Sequence, residues 1–284
     1  MKKFLKSFLV ALLSFAFLSA AACSSPAQSG NSSPSEPLPT PSEPEPSEPS
    51  APSEDPAAPP LWDVSDTDVS HIGENRRLIA FTFDDGVTDK TDALLNVFEA
   101  YNAANPDCIA HATLFTIGAR VTAQNSKTLS RAVSMRFELG NHTFSHNDLT
   151  AMPLEKAEEE LKKTDEILQS FDGKSAHLVR PAGGHVNAQI LALRPAPFIN
   201  WTSALDPSDW RETVTENDVF NVVSENLSDG GIALMHQGYD KTIAAVKRLL
   251  PALKSQGFQV VSVSELIAFY GIKAEQGKLY ENFF

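Results

Sequence analysis

From Arg77 onward, short apolar runs alternate about seven times with amphipathic segments, and nearly every run ends in a polar cluster. That rhythm predicts a parallel sheet with helical crossovers, either open or closed into a barrel. The expected strands are Arg77–Phe83, Ala112–Ile117, Phe137–Leu139, His177–Val179, Phe198–Trp201, Ile232–Met235 and Phe258–Val263. The expected helices are Thr91–Tyr101, Ser126–Arg136, Pro153–Phe171, Val219–Leu227, Thr242–Leu253 and Ser264–Tyr270. In a parallel barrel the C-terminal strand ends share one face. Asp84-Asp85, His142, Arg180, Asp206 with Asp209, and His236 each follow a strand and should therefore converge. The fold class expected is α/β, a distorted (β/α) barrel of about seven strands forming a single domain.

The rest of the 284-residue chain cannot join that core. Lys2, Lys3 and Lys6 precede an apolar run from Phe8 to Ala22, the pattern of a secretory signal. The run is shorter than the roughly 20 apolar residues that a membrane span needs. Ala20-Ala21-Ala22-Cys23 resembles a bacterial lipobox, although Ala20 stands where a larger aliphatic is usual. Residues 1–22 are thus expected to be a lipoprotein-type signal with Cys23 acylated. Ordinary signal cleavage nearby is the alternative, and either route exports the protein. Twelve of the 19 prolines lie between Pro26 and Pro60, among Ser, Glu and Ala. Residues 23–68 therefore read as a disordered, extended linker. A folded domain is expected over 69–278 and a tail over 279–284. No Lys or Arg occurs between Lys6 and Arg76, so much of the net charge of -13 belongs to the linker. No nucleic-acid partner is expected. Cys108 is the one cysteine besides Cys23 and reads as a small, part-buried residue.

Asp84-Asp85-Gly86 alone is the composition of a turn. His142 and His146 stand four apart, which on a helical turn places two imidazoles on one side. Alone, they also suit a polar loop. Together, the two histidines and a carboxylate fit one divalent ion, with a second carboxylate left over. Arg180 directly follows an apolar strand, and beside acidic groups it would orient a carboxylate. His236 follows Ile232–Met235 in the same way, and a rim histidine is the simpler reading of it. Trp210 suits core packing or a pocket wall. His71, His111 and His177 carry no motif context and read as structural. His185 reads as a rim residue or a substrate contact.

In order along the chain, Thr82-Phe83-Asp84-Asp85-Gly86, His142-Thr143-Phe144-Ser145-His146, Arg180-Pro181, Asp209-Trp210 and Leu234-Met235-His236 resemble the five motifs of the polysaccharide deacetylase family with the NodB homology domain, carbohydrate esterase family 4. The resemblance covers roughly Arg77 to Leu266. It implies that Asp85, His142 and His146 bind a divalent metal, most often Zn2+ and sometimes Co2+ or another ion. It implies Asp84 as general base of a metal-activated water, Arg180 as its positioning partner, His236 as general acid and Asp209 as the residue tuning it. Gly183, Trp210 and Leu234 would line the substrate pocket. The family's third motif commonly continues with a second proline and an aromatic. Here Ala182 and Gly183 precede Gly184, which keeps a backbone donor at Gly183 and omits the aromatic wall.

The resulting expectation is a hydrolase of carbon–nitrogen bonds that deacetylates a polysaccharide, with peptidoglycan N-acetylglucosamine or N-acetylmuramic acid favoured. It would be a monomer, anchored to the cell membrane through Cys23 and facing the wall. The enzymatic alternatives are an O-acetyl xylan esterase or a chitin-oligosaccharide deacetylase. A catalytically silent sugar-binding lipoprotein is the non-enzyme alternative. Completeness of the set Asp84, Asp85, His142, His146 and His236 speaks against silence.

Overall fold

Strand β1, Arg77–Gly86, is the axis of the molecule. A computed structural model describes residues 60–193 and 196–284. The expected signal peptide, the acylated Cys23 and the linker as far as residue 59 lie outside the described residues. After β1 come helix α1 (Thr91–Ala104), β2 (Thr113–Thr116), α2 (Ser126–Ser134), β3 (Glu138–Asn141), α3 (Leu154–Asp172), α4 (Ala188–Leu191) and β4 (Phe198–Ile199). The chain ends with α5 (Glu216–Glu225), β5 (Gly231–His236), α6 (Asp240–Ser255), β6 (Phe258–Val261), α7 (Val263–Tyr270) and β7 (Leu279–Tyr280). Among the described residues, no helix is long and apolar enough to cross a membrane.

The named strands pair in parallel, as the alternation predicted. β5 runs beside residues 79–84 of β1, from Ile79–Gly231 to Asp84–His236. The other edge of β1 is shared by β6, at Arg77–Ala80, and by β2, from Thr82 onward. β2 then pairs with β3, and β4 with β7. The expected strand His177–Val179 is reduced to Val179, which bridges Asn141 on one side and Phe198 on the other. The barrel does not close. An isolated antiparallel bridge, Gly231–Asn282, links the β4–β7 side to β5.

Two-residue periodicity decides what each strand face does. On β1, Ile79, Phe81 and Phe83 join the core beneath α1, α2, α5 and α6, with Leu94, Phe98, Leu129, Val219, Val246 and Leu249. Leu78 and Ala80 face the other way, into a second core with Phe115, Leu178, Ile199, Ile232 and Leu266. The same inward face continues as Thr82 and Asp84, turning polar toward the strand's C-terminal end. β5 repeats the plan, with Ala233 and Met235 in the first core and Ile232 in the second. Leu234 and His236 follow Ile232 on its face. α7 and the residues Trp62, Val64 and Val69 pack against the second core.

Contacts extend past both expected edges of the folded region. The Trp62 N–H donates to Ala274 O at 2.7 Å, and Leu61 bridges Glu275, so folded structure begins before residue 69. Leu279–Tyr280, expected as tail, forms β7 because Phe198 N and Asn200 N donate to Lys278 O and Tyr280 O, each at 2.8 Å. Cys108, expected to be part-buried, is fully buried.

Phe98 makes edge-to-face contacts with Phe83 at 6.1 Å and Phe137 at 4.9 Å. Phe98→Ala should destabilise the protein by about 3–5 kcal/mol, read from the urea midpoint; a cost of about 1 kcal/mol or less would contradict this packing.

Candidate active site and metal centre

At the C-terminal ends of β1, β3 and β5 the polar residues named from sequence meet in one pocket of about 470 Å3. Asp84, Asp85, His142, His146, Gly183, Leu234, His236 and Trp210 line it, together with Trp201 and Asp206.

Asp84 is buried at the inward end of β1. Its Oδ1 accepts from Arg180 Nη1 at 2.8 Å. Arg180 is fully buried, yet each of its side-chain nitrogens donates: Nε to Ile199 O at 2.9 Å, Nη1 also to Thr82 Oγ1 at 2.6 Å, and Nη2 to Asn200 O at 2.8 Å. Its guanidinium lies over Phe115, 4.2 Å from the ring centre. Burial opposes the Asp84 carboxylate, but Arg180, His142 and His236 together hold its pKa below the usual carboxylate range.

Asp85 faces His142 and His146. Its Oδ1 lies 3.6 Å from His142 Nε2 and 3.3 Å from His146 Nε2. That oxygen is shielded from solvent and accepts no hydrogen bond. His142 Nδ1 sits 2.7 Å from Arg180 O, so this nitrogen carries the proton and Nε2 offers its lone pair to the pocket. Burial pushes His142 below the usual imidazole range, favouring the neutral, ligating form. One donor atom from each of Asp85, His142 and His146 lies within 4.8 Å of the others. An orphaned carboxylate oxygen, a fixed tautomer and an N,N,O donor set fit a divalent transition ion.

The histidine pair is not presented by a helical turn. Thr143 and His146 have φ of 64° and 60°, which excludes a helix, and Asp85 shares the left-handed region at 67°. Neighbouring groups hold these conformations in place. Asn141 Oδ1 accepts from Thr143 N at 3.0 Å, and Thr143 Oγ1 accepts from His146 N at 3.0 Å. From α3, Glu160 Oε2 accepts from Phe144 N and Ser145 N at 3.0 and 2.7 Å.

His236 is the ladder partner of Asp84, one strand away. Its Nδ1 is 2.6 Å from Asp209 Oδ1, and its backbone N–H donates to Asp209 Oδ2 at 2.9 Å. Thr242 Oγ1 donates to the same Oδ2 at 2.6 Å. Burial works against a charged imidazole, but the Asp209 hydrogen bond and charge, with Asp84 and Asp85 behind, push its pKa up to about 9.

The structure selects between the sequence alternatives for Trp210 and His185, and it departs from the sequence reading at the aromatic wall. Trp210 is 51% exposed at the pocket mouth, so it is a rim residue and not core. An aromatic wall is present after all, because Trp201 lines the pocket from the end of β4. A Cβ on Gly184 would come within 3.0 Å of the Trp201 ring, so that glycine makes room for the indole. His185 is turned aside, its Nδ1 2.9 Å from Asp148 Oδ2. Trp201 and Glu160 were missed, whereas Asp206 lines the pocket as one of the polar residues expected to converge there. Only the place of Trp201 at the end of the Phe198–Trp201 run could have signalled it.

Comparison with known proteins agrees with this geometry. Residues 71–195 match the family model described as polysaccharide deacetylase. The chain is 32% identical over 205 residues to a peptidoglycan-N-acetylglucosamine deacetylase of Bacillus cereus, covering 70% of this chain and 92% of that protein. It is 30% identical over 212 residues to a bifunctional xylanase/deacetylase of Pseudobutyrivibrio xylanivorans, spanning 74% of this chain but only 34% of that longer protein. Among solved structures, the Xyl-CE4 domain of a multidomain xylanase from the hindgut metagenome of Trinervitermes trinervoides superposes with a TM-score of 0.67 at 29% identity, over 73% of this chain and 98% of that one. With the likeness to the Bacillus cereus protein running over nearly the whole of that relative, and with the motif residues gathered in one pocket, the chain belongs to the polysaccharide deacetylase family.

Proposed function

We propose that this protein is a metal-dependent deacetylase that hydrolyses N-acetyl groups of cell-wall polysaccharide. One observation carries the reading. The pocket holds three separate devices: a three-donor cluster with an orphaned oxygen, a carboxylate tied to arginine, and an imidazole tied to aspartate. Asp85, His142 and His146 would hold the ion. When bound, a divalent ion, Zn2+ above all, supplies a Lewis acid and acidifies water. Asp84 keeps one oxygen on Arg180 and has Oδ2 left to take a proton from water, as a general base. His236 keeps Nδ1 on Asp209 and has Nε2 left to protonate the departing amine. An amine leaves poorly as an anion, so this acid matters most for amide substrates. Leu234 and Trp201 would enclose the acetyl methyl, the Gly183 N–H would donate to the developing oxyanion, and the exposed Trp210 ring would meet a sugar face.

The Bacillus cereus relative, named for peptidoglycan N-acetylglucosamine, supports the wall glycan as substrate. The signal-like leader, the Cys23 lipobox and the proline-rich segment add an exported, lipid-anchored enzyme on a spacer, a reading resting on sequence alone. Acetylated xylan is the second reading, favoured by the xylanase/deacetylase relative. Acetate release from peptidoglycan, chitin oligomers and acetylxylan, with and without metal, separates these substrates.

Asp84→Asn should lower kcat by about 10²–10⁴-fold while keeping metal affinity, whereas His142→Ala should lose one bound Zn2+ per chain; near-normal turnover in the first or unchanged stoichiometry in the second would contradict the assigned roles. The pH profile tests the acid. A protonated His236 is required, so kcat/KM should fall as pH rises through its pKa. Asp209→Asn removes the partner that raises that pKa, so the alkaline limb should move down by about one unit or more; an unmoved limb would remove His236 from the acid role.

A further inference from the structure

We propose that His71, His111 and Glu265 form a second divalent-metal site, structural in role and separate from the pocket described above. His71 precedes β1, His111 precedes β2, and Glu265 lies in the first turn of α7. One donor atom from each lies within 4.8 Å of the others, the same convergence shown by Asp85, His142 and His146. Among the described residues these are the two such groups. They occupy different levels of the fold. His142 N donates to Thr116 O, and five residues of near-extended chain, up to about 16 Å, separate Thr116 from His111.

The polar arrangement is unfinished without an ion. Both ring nitrogens of His71 are shielded from solvent, and neither makes a hydrogen bond. A buried imidazole ordinarily satisfies at least one of them. Burial also lowers the His71 pKa, leaving the neutral form that metals take. Glu265 Oε2 accepts from Ser262 N at 2.9 Å, closing the helix cap, so Oε1 is the oxygen turned to the histidines. It lies 3.5 Å from His71 Nε2 and 2.6 Å from His111 Nδ1. The two rings are tilted with centroids 4.6 Å apart.

A tetrahedral ion with bonds of about 2.0–2.1 Å holds its ligands about 3.3 Å apart. The His71–Glu265 edge already has that length. The His111–Glu265 edge is a hydrogen bond. An ion would replace its proton and open that edge by less than about 1 Å. Two imidazoles and one carboxylate favour Zn2+ or Co2+ over Mg2+ or Ca2+. Glu265 also lines a cavity of about 780 Å3 bordered by Trp62, Asp68, Arg136 and Glu138. Bound there, it would cross-link the segment before β1, the start of β2 and α7. No base–acid pair accompanies it, so it would act on stability by binding the folded state alone.

The test counts metal in the full chain. Chelator-stripped protein is equilibrated with Zn2+, freed of excess ion and analysed by elemental mass spectrometry. Wild type should hold two equivalents, His142→Ala one, and His142→Ala combined with His71→Phe none, the phenylalanine keeping the ring volume without donors. Zn2+ should raise the melting temperature of His142→Ala by several degrees and leave that of the double variant unmoved. If the double variant does not fold, His71→Phe alone should hold one equivalent where wild type holds two. A single equivalent in wild type that His71→Phe retains, or undiminished metal in a folded His71→Phe variant, would overturn the proposal.

Discussion

The candidate active pocket depends on one buried cation, Arg180. Arg180 binds Asp84 with its side chain and, through its own carbonyl, accepts a hydrogen bond from His142 Nδ1. A single residue thus orients the Asp84 carboxylate and fixes the tautomer of His142. Its N–H donates to Asn141 O, and its guanidinium reaches β4 through Ile199 and Asn200. Burying an arginine is tolerated because its donors find acceptors and its charge has a partner. Removing it would leave Asp84 charged and unpaired inside the protein, a loss of about 3–5 kcal/mol by comparison with other broken buried pairs.

Behind the histidine loop a second network transmits this order. Asn141 Nδ2 donates to Asp165 Oδ1 and to Leu161 O, tying β3 to α3. Asp165 also meets His177, whose other nitrogen faces Asp172 at 3.2 Å. Burial disfavours charge on His177, but the two carboxylates raise its pKa above the usual imidazole value. On the other side, Gln237 N donates to Asp84 O, and a Cβ on Gly86 would come within 2.1 Å of the Gln237 amide, which is held by Thr91 Oγ1 and Phe83 O. The left-handed turns at Asp85, Thr143 and His146 are therefore held from several directions.

Much of this was legible in the sequence, because a strand's alternation states which residues share a face. Leu78, Ala80, Thr82 and Asp84 follow one another on the inner face of β1, as Ile232, Leu234 and His236 do on β5. Their C-terminal ends are where a parallel sheet gathers its chemistry. What sequence could not show was set by contacts distant along the chain. β7 is two residues long and exists through its bonds to β4. The approach of His142 to His146 comes from left-handed backbone secured by Asn141 and Glu160, not from helical spacing. Trp201 replaces an aromatic that the third motif lacks, a substitution visible only once β4 is placed beside Gly184.

The central claim is that Asp85, His142 and His146 grip an ion while Asp84 stays off it. A crystal grown with Zn2+ and measured at the zinc edge tests this directly. The account predicts an anomalous peak bonded to those three side chains at about 2.0–2.2 Å, with Asp84 Oδ1 still on Arg180. A peak that takes Asp84 as a ligand, or a pocket without one under saturating zinc, would contradict it.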